Sequence, residues 1–167
     1  SVAQNFYGNL VTNDGTDYNY PFETGSLTAD TWTKITKTIS GNSNLTFNND
    51  NGIGLSFQFA MFRGTDKTGT VSLNAWGAFS SSAQTPDMTS TWYTTNDATF
   101  EITGVQLEVG SVATDFEHRS FGQELKLCER YFQTLSKSNK YLCNCMYYSS
   151  SVATGVLQFR TTMRTTP

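Results

Sequence analysis

The chain has 167 residues, of which 37% are hydrophobic and 15% charged, and it contains 26 threonines and 13 asparagines. Branched and aromatic side chains suit a pleated surface, so this composition predicts a mainly β fold. Residues 1–110 carry 4 basic and 10 acidic side chains, which argues against nucleic-acid binding there, and no apolar run reaches the roughly 18 residues of a membrane helix.

The first predicted strand covers residues 31–39, where Ile35 and Ile39 share one parity. Trp32 opens this strand and is expected to lie in the core. Residues 53–62 alternate apolar with small or polar side chains over their whole length, as burial of one strand face requires. This second segment is the clearest strand in the sequence.

The middle of the chain, residues 63–97, is polar and small, and we predict a short strand at 70–73 followed by a long ordered loop. Residues 98–109 are predicted to form a strand whose apolar parity shifts at Gly104. Such a shift indicates a β-bulge, because one extra residue returns the following side chains to the same face and glycine tolerates the dihedrals. The bulge would direct five side chains into one core: Phe100, Ile102, Val105, Leu107 and Val109.

A helix is predicted for residues 120–135. Ser120 and Gln123 match a capping box at its start. Two more strands, 141–148 and 156–163, are predicted after it, joined by a serine-rich connection. The apolar stripe of the helix consists of Leu125, Cys128 and Phe132, broadened by Leu127, Tyr131 and Leu135.

Several of these segments together resemble one family. "VAQNF", "TADTWTKITKTISG", "NDNGIGLSFQF" and above all "FEITGVQLEVGSVATDFEHRSFGQELKLCERYF" are similar to a domain found in tail-fibre and other virion proteins of tailed bacteriophages, marine and cyanobacterial phages especially. The resemblance covers residues 1–133. Asp115 stands where the family more often has proline, and the family's first strands would precede "VAQNF". We therefore expect the chain to be a piece of a longer protein.

The resemblance implies a fold and a division of the chain. Residues 1–118 would form a carbohydrate-binding-module-like, galactose-binding-like jelly-roll sandwich without its first strands. Residues 119–136 would be a helical connector, and residues 137–167 the truncated beginning of a C-terminal β domain. The resemblance also implies a non-enzymatic virion protein, assembled in the host cytoplasm, whose partners are copies of itself in a homotrimer and other virion proteins. The helix would be the oligomerisation element, through Leu125, Cys128, Tyr131 and Phe132.

Binding of host surface glycans is the further expectation. Sugars bind where aromatic faces stack on their apolar faces and amides contact their hydroxyls. The candidates in the long loop are Trp76, Trp92 and Tyr93 with Asn74 and Asn96, and a second group near the N-terminus comprises Tyr18, Tyr20, Asn13 and Asp17. Each aromatic could instead plug its loop into the core. Two alternatives therefore stay open: a carbohydrate-binding module attached to a catalytic domain elsewhere, and an architectural module without a ligand.

No catalytic residues are predicted. Glu101, Glu108, Asp115 and Glu117 have no reason in the sequence to converge on one bond, as glycoside hydrolysis would require. No nucleophile motif accompanies His118, the only histidine. We expect it to anchor the connection between strand and helix together with Arg119.

Metal sites are likewise not predicted. His118 with Cys128, Cys143 and Cys145 lacks the C-x₂-C spacing of zinc knuckles. A structural Ca²⁺ is possible at the Asn- and Asp-rich segments 12–17 and 48–52, although Asx turns explain such residues without a metal. No other cofactor is expected.

Overall fold

The computed structural model describes residues 1–50, 52–134 and 143–164. About 25% of the residues are in strands and 8% in helices, so the chain is mainly β, as predicted. The chain divides into two compact units, Ser1–Asp115 and Phe116–Pro167. In chain order the elements are β1 (Asn5–Thr12), β2 (Tyr18–Ser26), β3 (Leu55–Ala60), β4 (Gly77–Ala78), α1 (Thr91–Thr94), α2 (Phe121–Glu129), β5 (Cys145–Ser149) and β6 (Val152–Gly155).

The first unit is built on a four-stranded antiparallel sheet in the order β3-β1-β2-β4. Leu10 lies opposite Tyr20 and Phe57, and Gly8 lies opposite Phe22, so these residues share one face of the sheet. Leu10, Tyr20 and Phe22 are buried there and form the core. The side chains packed against this core are Ile39, Phe59 and Trp76.

The β1–β2 hairpin, which the sequence did not predict, supplies most of this core. Its connection, residues 13–17, is held by Thr12 Oγ1, which accepts a 2.9 Å hydrogen bond from the Tyr18 N–H. Gly15 adopts a positive φ of 68° within it, a conformation that glycine allows at no steric cost.

Of the two early strand predictions, one is confirmed and one is wrong. The strand at 53–62 is observed as β3, shortened by a few residues at its ends. Residues 31–39 form no strand, and Trp32 is 69% exposed rather than buried. Ile39 still packs on the core, but Ile35 of the same parity is exposed, so the alternation predicted one of the two contacts and not a strand.

The strand predicted at 98–109 is also wrong. Gly104 does have a positive φ, 60°, but no ladder passes through it, so there is no bulge at this position. Phe100 alone reaches the core, with its ring centroid 4.8 Å from that of Phe6 and 5.5 Å from that of Phe59. The other four side chains of the predicted face are exposed: Ile102, Val105, Leu107 and Val109.

A register shift occurs instead at the start of β1. Asn5 pairs with Ser26 and Tyr7 with Glu23, so β2 has one residue more than β1 in this interval. The extra residue lies at Thr24-Gly25, where glycine has a positive φ of 77°. The strand predicted at 70–73 is absent as well, and the nearest pairing is a single bridge between Thr68 and Thr85.

In the second unit the start of the predicted helix is confirmed. The Ser120 hydroxyl accepts from the Gln123 N–H and the Gln123 side chain accepts from the Ser120 N–H, which is the expected capping box. The helix α2 ends at Glu129 rather than at 135; Leu135 lies outside the described residues. No residue of α2 is buried.

The β5–β6 hairpin corrects the last two strand predictions. β5 overlaps the predicted strand 141–148, of which residues 141 and 142 lie outside the described part. β6 falls in the connection that was predicted to follow, and residues 156–163 form no strand. The jelly roll, and the boundaries at residues 118 and 136, stay predictions.

Candidate functional site

The candidate glycan residues of the long loop centre on α1. This single helical turn is closed by the hydroxyls of Thr94 and Thr95, which donate to the carbonyls of Ser90 and Thr91 at 3.0 and 2.7 Å. Asp97 then takes a positive φ of 59°. The turn is therefore a locally ordered loop, and we name residues 91–98 the α1 loop.

Trp92 fixes the α1 loop to the sheet. Its backbone N–H donates to Gln4 Oε1 at 2.9 Å, and its indole Nε1–H donates to the carbonyl of Thr99 at 3.1 Å. Its ring meets the ring of the buried Phe6 edge-on, with centroids 6.3 Å apart. Because its backbone N–H, its indole N–H and its ring all make contacts within the protein, Trp92 mainly anchors the α1 loop.

Tyr93 is the aromatic side chain that the α1 loop presents to solvent. Its ring lies parallel to that of Phe62, with centroids 4.7 Å apart and an angle of 12° between the planes, and the residue is 66% exposed. One ring face is thus supported by Phe62 and the other is open. A fixed ring with an open face is what stacking on a sugar requires.

The α1 loop encloses a shallow depression of about 420 Å³, lined by residues 92–98. Asn96 and Asp97 contribute its polar groups, and the Asn96 side-chain amide donates to Asp97 Oδ2 at 2.8 Å. Aromatic, amide and carboxylate groups are therefore adjacent here. Three of the five predicted site residues, Trp92, Tyr93 and Asn96, are brought together by this one loop.

The other two, Trp76 and Asn74, lie beside β2, where Trp76 packs on the core and Asn74 is exposed. The ring of Trp76 packs on Tyr20 at a centroid distance of 5.2 Å, and its Nε1–H donates to the carbonyl of Ser40 at 2.7 Å. Asn74 has a φ of 56°, and its backbone N–H donates to the carbonyl of Pro21 at 2.8 Å. Trp76 thus packs on the hydrophobic core. This is the alternative to sugar binding that the sequence left open for each aromatic residue.

These two places are separated along the β1–β2 hairpin. Trp92 contacts Phe6, whereas Trp76 contacts Tyr20, which pairs with Leu10. Phe6 and Leu10 are four residues apart on β1, which corresponds to about 13 Å. The structure therefore does not bring the five predicted residues into one site.

The N-terminal candidate group does not form an aromatic platform. Tyr20 is only 2% exposed and its hydroxyl donates to the carbonyl of Thr38 at 3.4 Å. Burial raises the pKa of this phenol. Asn13 Oδ1 accepts from the Ser56 hydroxyl at 3.1 Å, across the end of the hairpin.

The two segments considered for Ca²⁺ do meet. Asp14 Oδ2 accepts the Asn48 N–H at 2.8 Å, and Asp50 Oδ1 accepts the Gly52 N–H at 2.7 Å. Backbone N–H groups thus occupy one oxygen of each carboxylate, and the bond from Gly52 to Asp50 is an Asx turn, the alternative that needs no metal. In the described ranges no three His, Cys, Asp or Glu side chains cluster as metal ligands would. The structural Ca²⁺ stays an untested alternative.

The four carboxylates weighed for catalysis make contacts in different places. Glu108 accepts from the Thr114 N–H at 2.6 Å and from its hydroxyl at 2.8 Å, which lowers the pKa of Glu108. Asp115 lies 3.9 Å from Lys34 Nζ. Glu117 pairs with Arg119 at 2.5 Å, and Arg119 also reaches Glu124, so the pKa of Arg119 is raised. Glu101 is exposed.

His118 and Arg119 were expected to anchor the connection before α2. The ring of His118 meets the Phe116 ring edge-on at 5.1 Å. Arg119 bonds Glu124 at 3.2 Å, within the first turn of α2. The guanidinium therefore ties the connection to the start of the helix, the role predicted for Arg119, although the strand predicted before the connection is absent.

A polar network on the other face of the first sheet was not predicted. Asn9 is fully buried, its amide donates to Asn19 Oδ1 at 2.9 Å, and its carbonyl oxygen accepts from Arg63 at 3.2 Å. Arg63 also donates to Gln58 Oε1 at 3.1 Å and to Gln84 Oε1, and burial lowers its pKa. The alternation of Asn9 with Gly8 and Leu10 in the sequence is the signal that could have indicated this face.

The predicted oligomerisation residues are exposed. Leu125 and Cys128 lie on α2, where Leu125 is 41% exposed, whereas Tyr131 and Phe132 follow its end and are 66% and 75% exposed. The guanidinium of Arg164 lies 5.7 Å from the centre of the Tyr131 ring.

None of the helices in the described part of the chain has the length and apolar character that crossing a bilayer needs. Searches against protein-family models, curated proteins and solved structures find no match for this chain. Its function is accordingly inferred from its residues and their geometry.

Proposed function

We propose that this chain is a structural module of a bacteriophage virion, a fibre, tail or head-surface part, which assembles with copies of itself and with other virion proteins. The observation that carries the proposal is the number of large apolar side chains that the single chain leaves exposed. The resemblance to phage virion domains suggests the kind of assembly, and the exposed apolar side chains give a physical reason for assembly.

One group of these side chains lies in the segment that precedes α2 along the chain. Ile102, Val105 and Leu107 are each more than half exposed, and the segment that carries them pairs with no strand. Complete burial of such a side chain stabilises a protein by about 1.5–3 kcal/mol. A second polypeptide that covered this segment would gain that contribution at several positions.

The second group is on α2 and directly after it. Phe121, Leu125 and Leu127 are exposed on the helix, as are Tyr131 and Phe132 after it. Monomeric soluble proteins rarely leave large apolar surfaces uncovered, and such surfaces mark interfaces. We expect the helices of three copies to pack around a common axis, which would cover this stripe.

The oligomeric state of the chain in solution, measured by light scattering after size exclusion, tests the proposal. We expect trimers, and we expect Leu125→Asp to yield monomers because it places a charge in the packed stripe. Lys126→Asp is the matched control, since it adds the same side chain at the neighbouring exposed position. A monomeric wild type, or a Leu125→Asp variant that assembles as the wild type does, would contradict the proposal.

A second function, recognition of host surface glycans, is favoured by the α1 loop. Tyr93 offers one open aromatic face over the support of Phe62, beside the amide of Asn96 and the carboxylate of Asp97. These are the groups that stack on a sugar and bind its hydroxyls. The site is open and shallow, which suits a surface polysaccharide better than an enclosed small molecule.

Binding to an array of bacterial surface glycans tests this second function. Tyr93→Ala should weaken any binding at least about fivefold, because an aromatic contact of this kind is worth about 1 kcal/mol. Tyr147→Ala is the control, since Tyr147 is also a strongly exposed tyrosine but lies on the β5–β6 hairpin. Equal binding by the Tyr93 variant would exclude the α1 loop as the glycan site. No binding above background would favour the alternative of an architectural module without a ligand.

A further inference from the structure

The β5–β6 hairpin holds two thiols side by side. Cys145 is the first residue of β5 and Cys143 precedes it by two positions, with their Sγ atoms 3.7 Å apart. Residues two apart in an extended chain direct their side chains to the same face. Cys145 is exposed and Cys143 partly exposed, so reagents in solution can reach the pair.

Gly155 makes room for both sulfur atoms. It pairs with Cys145 across the hairpin. A Cβ at this position would lie 2.7 Å from Cys143 Sγ and 2.9 Å from Cys145 Sγ, closer than real contacts allow. Any other residue at position 155 would force one thiol away, so the glycine preserves the pair.

The separation of the sulfur atoms suits a shared metal ion better than a disulfide. Two thiolates at about 2.3 Å from one tetrahedral Zn²⁺ lie about 3.8 Å apart. A disulfide needs an S–S distance of about 2.05 Å, so the sulfur atoms would have to approach by roughly a further 1.7 Å. Chelation therefore needs almost no movement of the hairpin.

We propose that Cys143 and Cys145 form a bidentate binding site for a thiophilic divalent cation of the Zn²⁺ and Cd²⁺ class. Each thiol loses its proton to solvent and forms one sulfur–metal bond. Water occupies the remaining coordination positions, since no larger cluster of ligand side chains occurs in the described residues. The site does not depend on the proposed virion function.

Titration of the reduced, full-length chain with Cd²⁺ under anaerobic conditions tests the site, with thiolate-to-metal charge-transfer absorption as the signal and Zn²⁺ as the competitor. We expect one ion per chain and the absorption of two thiolates. Cys143→Ser and Cys145→Ser should each weaken binding at least about tenfold, because even partners beyond the direct ligands are worth 10–100-fold. Cys128→Ser should bind as the wild type does.

Gly155→Ala tests whether the folded hairpin holds the two thiols in position before the metal binds. It should weaken Cd²⁺ binding, whereas Gly122→Ala, at a glycine with open space around it, should leave binding unchanged. Binding that survives either Cys143→Ser or Cys145→Ser, or that requires Cys128, would overturn the proposal. Equal binding by the two glycine variants would overturn it too.

Discussion

Gly8 in β1 is covered by the side chain of a β2 residue, Phe22. A Cβ at this position would lie 2.5 Å from Phe22 Cζ and 3.0 Å from the carbonyl oxygen of Gln58. The Phe22 ring therefore lies over the glycine, in the space that another side chain would fill. Phe22 is buried and is part of the core, so the glycine determines how this core packs.

Gly8→Ala should lower the free energy of unfolding by about 1–3 kcal/mol, the usual cost of forcing extra volume into a packed core. Gly77→Ala is the control, because no atom lies within 4 Å of a Cβ added at that strand position. Urea denaturation followed by tryptophan fluorescence measures both. A Gly8 variant as stable as the Gly77 variant would show that the Phe22 ring moves aside at no cost.

Asn9, the neighbour of Gly8, points to the opposite face and is fully buried. Asn9→Leu keeps the number and branching of the side-chain heavy atoms but removes hydrogen bonds from Asn19 and Arg63. Each buried polar group left without a partner costs about 1–3 kcal/mol, so we expect a loss of that size or more. The same substitution at the exposed Asn96 should change the free energy of unfolding by no more than about 0.5 kcal/mol. Similar midpoints in urea for both variants would contradict a structural role of the polar network.

The segment before α2 contains a turn whose stability we expect to depend on pH. Glu108 accepts two hydrogen bonds from Thr114 and one from Gln106 at 3.2 Å. These bonds favour the ionised carboxylate, so the pKa of Glu108 is lowered. A carboxyl with a lowered folded-state pKa stabilises the turn above its ordinary pKa, about 4.3, and the contribution is lost as the pH falls through the lowered value.

The chemical shift of the Thr114 amide proton, followed by NMR during acidification, measures this turn. We expect a transition with a midpoint below the ordinary glutamate pKa, and we expect Glu108→Gln to abolish it. Glu101→Gln, in the same segment, should leave the midpoint unchanged. A Thr114 shift that does not vary with pH in the wild type would mean that the turn is not held by Glu108.

Elements with local signals were predictable from the sequence, whereas elements that depend on a partner were not. The capping box fixes the start of α2 through Ser120 and Gln123 alone, and β3 has an unbroken alternation. Residues 31–39 and 98–109 also have apolar side chains two positions apart, but most of these side chains are exposed. The pattern alone therefore predicts neither a buried face nor a partner strand, because both depend on tertiary packing. The α1 loop could be predicted only as a set of aromatic residues, since the support of Tyr93 by Phe62 depends on how two loops pack.

Among the described residues, the burial of hydrophobic side chains is concentrated in the β1–β2 hairpin. The buried hydrophobic side chains of the described residues all belong to β1 and β2: Phe6, Leu10, Val11, Tyr20 and Phe22. The described part of the second unit, 116–134 and 143–164, contains no buried residue, although it includes a capped helix and a hairpin. Isolated helices as short as α2 are marginal in water, so its stability must come from packing.

Hydrogen exchange at two protein concentrations, followed by mass spectrometry, should reveal where that packing comes from. In dilute solution we expect slow exchange in β1 and β2 and fast exchange in α2, because local opening is easiest where few apolar contacts are buried. At a concentration that favours assembly, α2 should exchange at least about tenfold more slowly, because subunit binding stabilises by mass action. Leu125→Asp should remove this concentration dependence and leave β1 unaffected. Exchange in α2 that is equally slow at both concentrations would contradict stabilisation of the helix by other copies of the chain.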